Sequence, residues 1–347
     1  MSKLPAVASA FTVLLLCGCS RTVDRYTMER VVPQAGAMGD VDRACALGAS
    51  MGHVLASAGR GDKQPHLALV IAETTAGFCA EGEAWEAELE AARLMFRGDD
   101  LPAVQDARIR EARAHAQAAQ RFLSSWEHLV AHYGPVGTGP CPELAGDEGI
   151  VYLLGMYAGV NALLHDRAGG GGLGVPMDIP VAVARGTECV DDEQWWHAPW
   201  AMRAAAWAMV PGMAPEGVEP WAELEAAALA SESTGVRLGR GLQVLVAANA
   251  GRDADVAHAL VAHAAANDAG PVDSTWALLD EYSRLVSLHE ADLMWTAAKG
   301  HRCADMGVLP NAPARADPAP DPFAGDDPFG APPAPPSTPP SDPETTP

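Results

Sequence analysis

Val41–Ala58 reads "VDRACALGASMGHVLASA", and the spacing of its apolar residues decides the fold. Val41, Ala44, Cys45, Leu47, Met51, Val54 and Leu55 form one stripe at three- and four-residue intervals, the period of a helix face and not the alternation of a strand. Asp40 precedes the stripe. Residues 65–82, "PHLALVIAETTAGFCAEG", repeat the pattern. The turn "GRGDK" between them predicts an antiparallel hairpin of helices over residues 40–57 and 64–80.

Outward from this hairpin the same period continues. "WEAELEAARLMFRG" and the long "PAVQDARIREARAHAQAAQRFLSSWEHLVAHYG" follow, the latter with Glu and Arg on its wet face. "TGPCPELAG" breaks helix through Pro and Gly, and "DEGIVYLLGMYAGVNALLHD" after it is the most apolar helix of the mature chain. Charges bound that run after about 17 residues, and Gly and Asn interrupt it, so it reads as a core helix and not a membrane span. "DIPVAVARGTECV" follows the glycine-rich loop, with Asp178 placed to cap and Pro180 in the first turn. Further helical runs reach "STWALLDEYSRLVSLHEADLMWTAAKG", and no strand-like alternation interrupts them. The expectation is an all-α domain over residues 40–308, a tetratricopeptide-like array of helical hairpins, although no 34-residue repeat aligns. Residues 309–347 are rich in proline and acid and read as a disordered tail. Its twin triplets, Asp321-Pro322-Phe323 and Asp327-Pro328-Phe329, are a partner's handle or part of a solvated spacer.

At the other end stands "LLLCGCS", residues 14–20. Lys3, the apolar run Ala6–Leu16 and the sequence Leu16-Cys17-Gly18-Cys19 have the form of a bacterial lipoprotein signal peptide, cleaved before Cys19. Residues 1–18 are then removed, Cys19 is lipidated, and residues 19–39 form a tether. Several acyl chains on one cysteine hold firmly to a bilayer. Ser20 follows, with no Asp retention signal, which places the protein in the cell envelope, at the outer membrane facing the periplasm.

A formal charge of −22 repels a polyanion and excludes a nucleic-acid partner. Disulfides persist in the compartment the signal implies. The first hairpin brings Cys45 level with Cys79, which predicts a bridge; Cys141 and Cys189 flank the next hairpin and form the second candidate pair. Cys303 is the odd cysteine and an alternative partner for either pair.

Catalytic chemistry is represented only by fragments. His128 and His132 are one turn apart, but Glu127 precedes the first of them, unlike a metalloprotease helix, and no third ligand is evident. His258 and His263 diverge on a helix. Gly169–Gly172 lack the Lys-Ser/Thr ending of a phosphate loop, and Ser124, Ser125, Ser231 and Ser233 lack a nucleophile context. No catalytic residue, metal ligand or cofactor is assigned, and the chain is not read as an enzyme. The unusual cluster is "EQWWHAPW". Trp195, Trp196, His197 and Trp200, with Tyr152 and Tyr157 on the neighbouring helix, are the candidate ligand or partner face; the alternative is that these rings wedge alanine-rich helices apart.

The order of segments resembles the T-component family of TRAP transporters, from about Asp40 to Trp295. The resemblance is carried by "LALVIAETTAGFCAE", "REARAHAQAAQRFL", "DEGIVYLLGMYAGVNALLHD" with "MDIPVAVARGTECVD", and "STGVRLGRGLQVLVAANAGRDADVAHALVAHAAAND". It implies a tetratricopeptide-like helical lipoprotein that forms trimers and associates with a periplasmic solute-binding protein. The tail and the extra cysteines depart from the family pattern. The alternative is an envelope interaction scaffold with no small-molecule ligand.

Overall fold

The computed structural model describes residues 20–311, except 60–62, 99 and 271. The expected signal peptide over residues 1–18, Cys19 and all but the first three residues of the Pro-rich tail lie outside the described residues. The described chain is all-α, with no β-strand.

The expected tether is instead helical. Residues 20–26 form α1, a π-turn spans Thr27–Val31, and α2 spans Val32–Gly36. Burial explains the difference: Thr27, Val32 and Gly36 are covered, and a Cβ on Gly36 would strike Thr275 and Trp276. Asp24 also accepts a hydrogen bond from the Ala68 backbone N–H (3.1 Å). That N–H belongs to the first turn of α4 (His66–Arg97), whose own N-cap, Pro65, supplies no side-chain acceptor. The first segment thus caps a helix distant in sequence.

Three long helices follow: α3 (Val41–Ser57), α4 and α5 (Leu101–Tyr133). Asp40 caps α3 by accepting from the Arg43 N–H (2.9 Å). Helix α4 does not stop near Ala80. It runs on through Gly82, whose missing side chain meets open space, so the two helices expected there are one of 32 residues. At 1.5 Å per residue α4 and α5 are each about 48 Å long. Gly98, at φ 71°, ends α4 in the left-handed conformation, and Asp100 caps α5. Close approach depends on missing side chains: a Cβ on Gly48 of α3 would collide with Ala72 and Thr75 of α4, and one on Gly77 would enter the Phe122 ring of α5.

Helix α6 (Glu148–Ala168) is the buried apolar helix and packs on α4 and α5. The remainder is α7 (Ile179–Gly186), α8 (Ala198–Met209), α9 (Pro220–Glu232), α10 (Leu238–Asn249), α11 (Asp253–Ala269) and α12 (Ala277–Lys299). Asp178 occupies the N-cap of α7, but its side chain makes no capping bond. Helix α12 returns to lie on α4, which places a late segment beside an early one. A buried pair fixes α10 to α12: Arg237 gives its Nε–H to Asp280 (2.7 Å), and its Nη1–H to the Ala266 carbonyl (3.1 Å). Both disulfides expected from the hairpins are present, Cys45–Cys79 and Cys141–Cys189, each with Cα atoms 5.3 Å apart. Cys303 is free and donates to Asp292 (3.1 Å); burial, then that bond, pushes its thiol up to about 12.

Candidate functional site

The aromatic cluster does not form an exposed face. Tyr152, Tyr157, Trp195 and Trp196 all lie in the core, each at 6% exposure or less. The local reason is a turn. Trp196 and His197 adopt left-handed backbone angles (φ 54° and 58°), held by His197 N–H to Asp192 C=O (2.7 Å) and Ala198 N–H to Trp195 C=O (2.8 Å). This turn delays α8 until Ala198 and points both indoles inward. There they meet Trp276 edge to face, and the Trp195 indole occupies the space a side chain on Gly149 would fill. These rings are the wedges of the alternative reading. Trp200 is half-buried, its indole N–H given to Glu223 (3.0 Å), and the His197 ring stands edge-on to it. His128 does not pair with His132; its Nδ1 lies 3.1 Å from Nδ1 of His66, and burial, then that neighbour, lowers it to about 4.

The polar chemistry of the interior gathers instead where α4, α5, α6 and α12 meet. Glu81, 1% exposed, accepts from Tyr282 Oη (2.6 Å) and lies 3.0 Å from His165 Nε2. The Tyr157 and Tyr282 hydroxyls are 2.7 Å apart, so Tyr157 donates to Tyr282. On the other side Nδ1 of His115 and Nδ1 of His165 are 2.8 Å apart. Burial, then the charge of Glu81, pushes both phenols above their usual range; burial, then His165, lowers His115 to about 4. Phe78 stacks on Tyr282 and Phe122 on His165, sealing the chain of bonds. Two turns along, the pattern repeats. His289 Nε2 meets Glu88 (3.1 Å) with Trp85 stacked on the imidazole. Burial raises the Glu88 carboxyl, but His289 outweighs it and holds the group below its usual range. His289 Nδ1 is buried with no hydrogen-bond partner among the described residues.

Tyr282 and His289 also border a groove of about 1110 Å³. Its floor is a face of α4 on which Trp85 is half-buried and Phe78 and Leu89 are buried beneath. Helix α12 makes one wall, α5 the other through Arg113 and Gln117, and the first turn of α3 closes one end with Asp42. Part of the charge is internally matched: Arg110 bridges Glu90 (2.8 Å), and Arg302 bridges Glu86. Arg93, Arg113, Glu83 and Asp42 line the groove and form no ion pair among the described residues. Among the described residues, no group of three or more His, Cys, Asp or Glu side chains is arranged to hold a metal ion, and no helix is long and apolar enough to cross a membrane.

The sequence reading missed Glu81, Glu88, Trp85, His115, His165, Tyr282 and His289. A signal was available. Thr74, Phe78, Glu81, Trp85 and Glu88 share one face of α4, so two carboxyl groups seven residues apart sit on a face that also carries aromatic rings. A charge repeated at that spacing marks a polar seam between helices. Its partners on α12, some 200 residues later, could not be read from local pattern.

No family model, curated protein or solved structure matches this chain.

Proposed function

We propose that this chain is a lipid-anchored, non-catalytic binding scaffold of the cell envelope that associates with the solute-binding subunit of a TRAP-type transport system. The observation that carries the reading is the groove over α4: an open trough with an aromatic floor and unpaired charges has the makings of a binding site. The segment order that resembles the T-component family supports the choice of partner. Export is supported by the two disulfides, which suit an oxidising compartment. The lipobox at Leu16–Cys19 supports the anchor. Asp24, bonded to the first turn of α4, stands five residues from Cys19. An acyl-anchored Cys19 therefore holds that end of α4 close to the bilayer. The groove, which runs from Phe78 toward Arg97, begins about 15 Å farther along the helix, beyond the anchored end.

Two measurements test this. Mass spectrometry of the mature protein is expected to show an acylated N-terminal Cys19, and a solute-binding protein encoded beside it is expected to bind the purified mature chain. A mature form that starts downstream without lipid overturns the anchor. Absence of binding at about 100 μM, a concentration that detects even weak complexes, overturns the transport partner.

A further inference from the structure

We infer that the α4 groove is a site for short free peptides with apolar side chains, held by both termini. The inference goes beyond the transport partner and does not depend on it.

The unpaired charges of α3 and α4 are segregated along the groove. Asp42, in the first turn of α3, and Glu83 of α4 mark one end, where the Cys45–Cys79 bridge ties these helices together. Arg93 lies toward the other. Ten helical residues separate Glu83 from Arg93, a rise of about 15 Å. An extended tetrapeptide spans about 13 Å. A peptide ammonium group at Asp42 and Glu83 thus brings the terminal carboxylate to Arg93, which offers a forked pair of donors.

Between these ends the walls and floor suit a main chain and its side chains. Arg110 is bonded to Glu90, which fixes the register of α5 against α4; Arg113 and Gln117 follow one and two turns farther along α5, back toward Glu83. Their N–H groups form a ladder of donors for peptide carbonyls. The half-buried Trp85 gives the floor aromatic area for side chains, over the buried Phe78 and Leu89. A simple organic anion leaves Asp42 and Glu83 unmatched, and an organic cation leaves Arg93 and Arg113 unmatched. The zwitterion satisfies both ends.

The test uses the mature chain and the tetrapeptide alanyl-phenylalanyl-leucyl-alanine in isothermal titration, compared with its N-acetylated and C-amidated forms and with 4-phenylbutyrate. Blocking either terminus is expected to weaken binding by about tenfold or more, the loss of one charge-assisted contact. Arg93→Gln is expected to abolish the penalty for C-amidation while keeping that for N-acetylation, and Glu83→Gln the reverse. Asp42→Asn repeats the amine test at a second residue. All three side chains are at the surface of helices, and unchanged thermal unfolding confirms that the variants fold. No heat of binding with peptide up to about 1 mM overturns the inference. So do equal affinities for free and blocked peptides, 4-phenylbutyrate binding as tightly as the peptide, or variants that keep both penalties.

Discussion

Replacing Tyr282 by Phe removes one oxygen from the centre of the molecule and tests whether the buried polar seam holds the fold. The ring stays, so its stacking on Phe78 (centroids 3.9 Å apart) and its apolar burial are retained. Two hydrogen bonds are lost: the 2.6 Å bond to Glu81 and the 2.7 Å bond from Tyr157. A bond to a carboxyl group that is otherwise buried contributes about 1.5–3 kcal/mol, and the phenol–phenol bond about 1 kcal/mol more. The expected loss is about 3 kcal/mol, which lowers the melting temperature of a domain this size by about 6 °C. Urea unfolding followed by tryptophan fluorescence measures it, with an unchanged m value showing that the unfolded state is unaffected. Glu81→Gln made in the Tyr282→Phe background is expected to cost at least about 1 kcal/mol less than in the wild type, because the two groups share a bond. A loss below about 0.5 kcal/mol for Tyr282→Phe, or strict additivity of the pair, refutes the claim that the seam joins α4 to α12.

Replacing Cys45 and Cys79 together by Ser opens a loop with a sequence separation of 34 and is expected to cost about 4 kcal/mol on the chain-entropy account, read from denaturant midpoints. Trp196→Ala is expected to cost about 3–5 kcal/mol of stability, while the affinity of each folded molecule for its partners is unchanged; the reverse result would restore the cluster as a binding face. His115 and His128 are lowered to about 4 and His263 to about 3, so the folded state resists protonating them; their contribution is complete above pH 6.5 and is lost as pH falls toward about 4, which a series of urea midpoints from pH 7 to 4 detects as falling stability. Asp24 has the opposite sign: burial raises it to about 6, so acidification from pH 7 toward 4 favours the packed form of residues 20–36, and amide exchange there is expected to slow relative to the rest, with Asp24→Asn flattening the trend.

Helical period was legible because it is local. Asp40 before Val41, Pro102 and Pro180 in first turns and Gly98 after Arg97 are all signals within a few residues of the boundary they set, and the structure starts or ends a helix beside each. The disulfides were legible for a related reason: the hairpin turn between α3 and α4 converts distance from the turn into spatial level, and Cys45 and Cys79 are nearly equidistant from it. Where the reading failed, the deciding interaction came from elsewhere in the chain. Residues 20–39 carry no strong periodic stripe, yet α1 and α2 form because Ala68 and Trp276 offer them partners. The tryptophans admit two readings in sequence, a binding face or wedges between helices, because aromatic residues close together suit either; the left-handed pair at Trp196 and His197, rare for a tryptophan, turns them inward.

The same physics explains why the candidate site lies away from the aromatic cluster. Alanine and glycine let helices approach closely, so large rings are needed where the packing would leave gaps, and Trp195 above Gly149 fills such a place. Spent on packing, those rings are withdrawn from the surface. A groove survives over α4 because α3 begins only at Val41, level with the neighbourhood of Cys79, so the half of α4 beyond that point has no helix on this face. The uncovered stretch runs with α4 toward the α4–α5 turn, and along it Glu83, Glu86 and Glu90 are followed by Arg93 and Arg97, with the half-buried Trp85 among them. Trp85 on this face is half-buried because one side of its ring stacks on His289, which leaves the other side toward the groove. The uncovered length of α4, with unpaired acid at one end and Arg93 toward the other, is therefore the part of this molecule where the proposed peptide would lie.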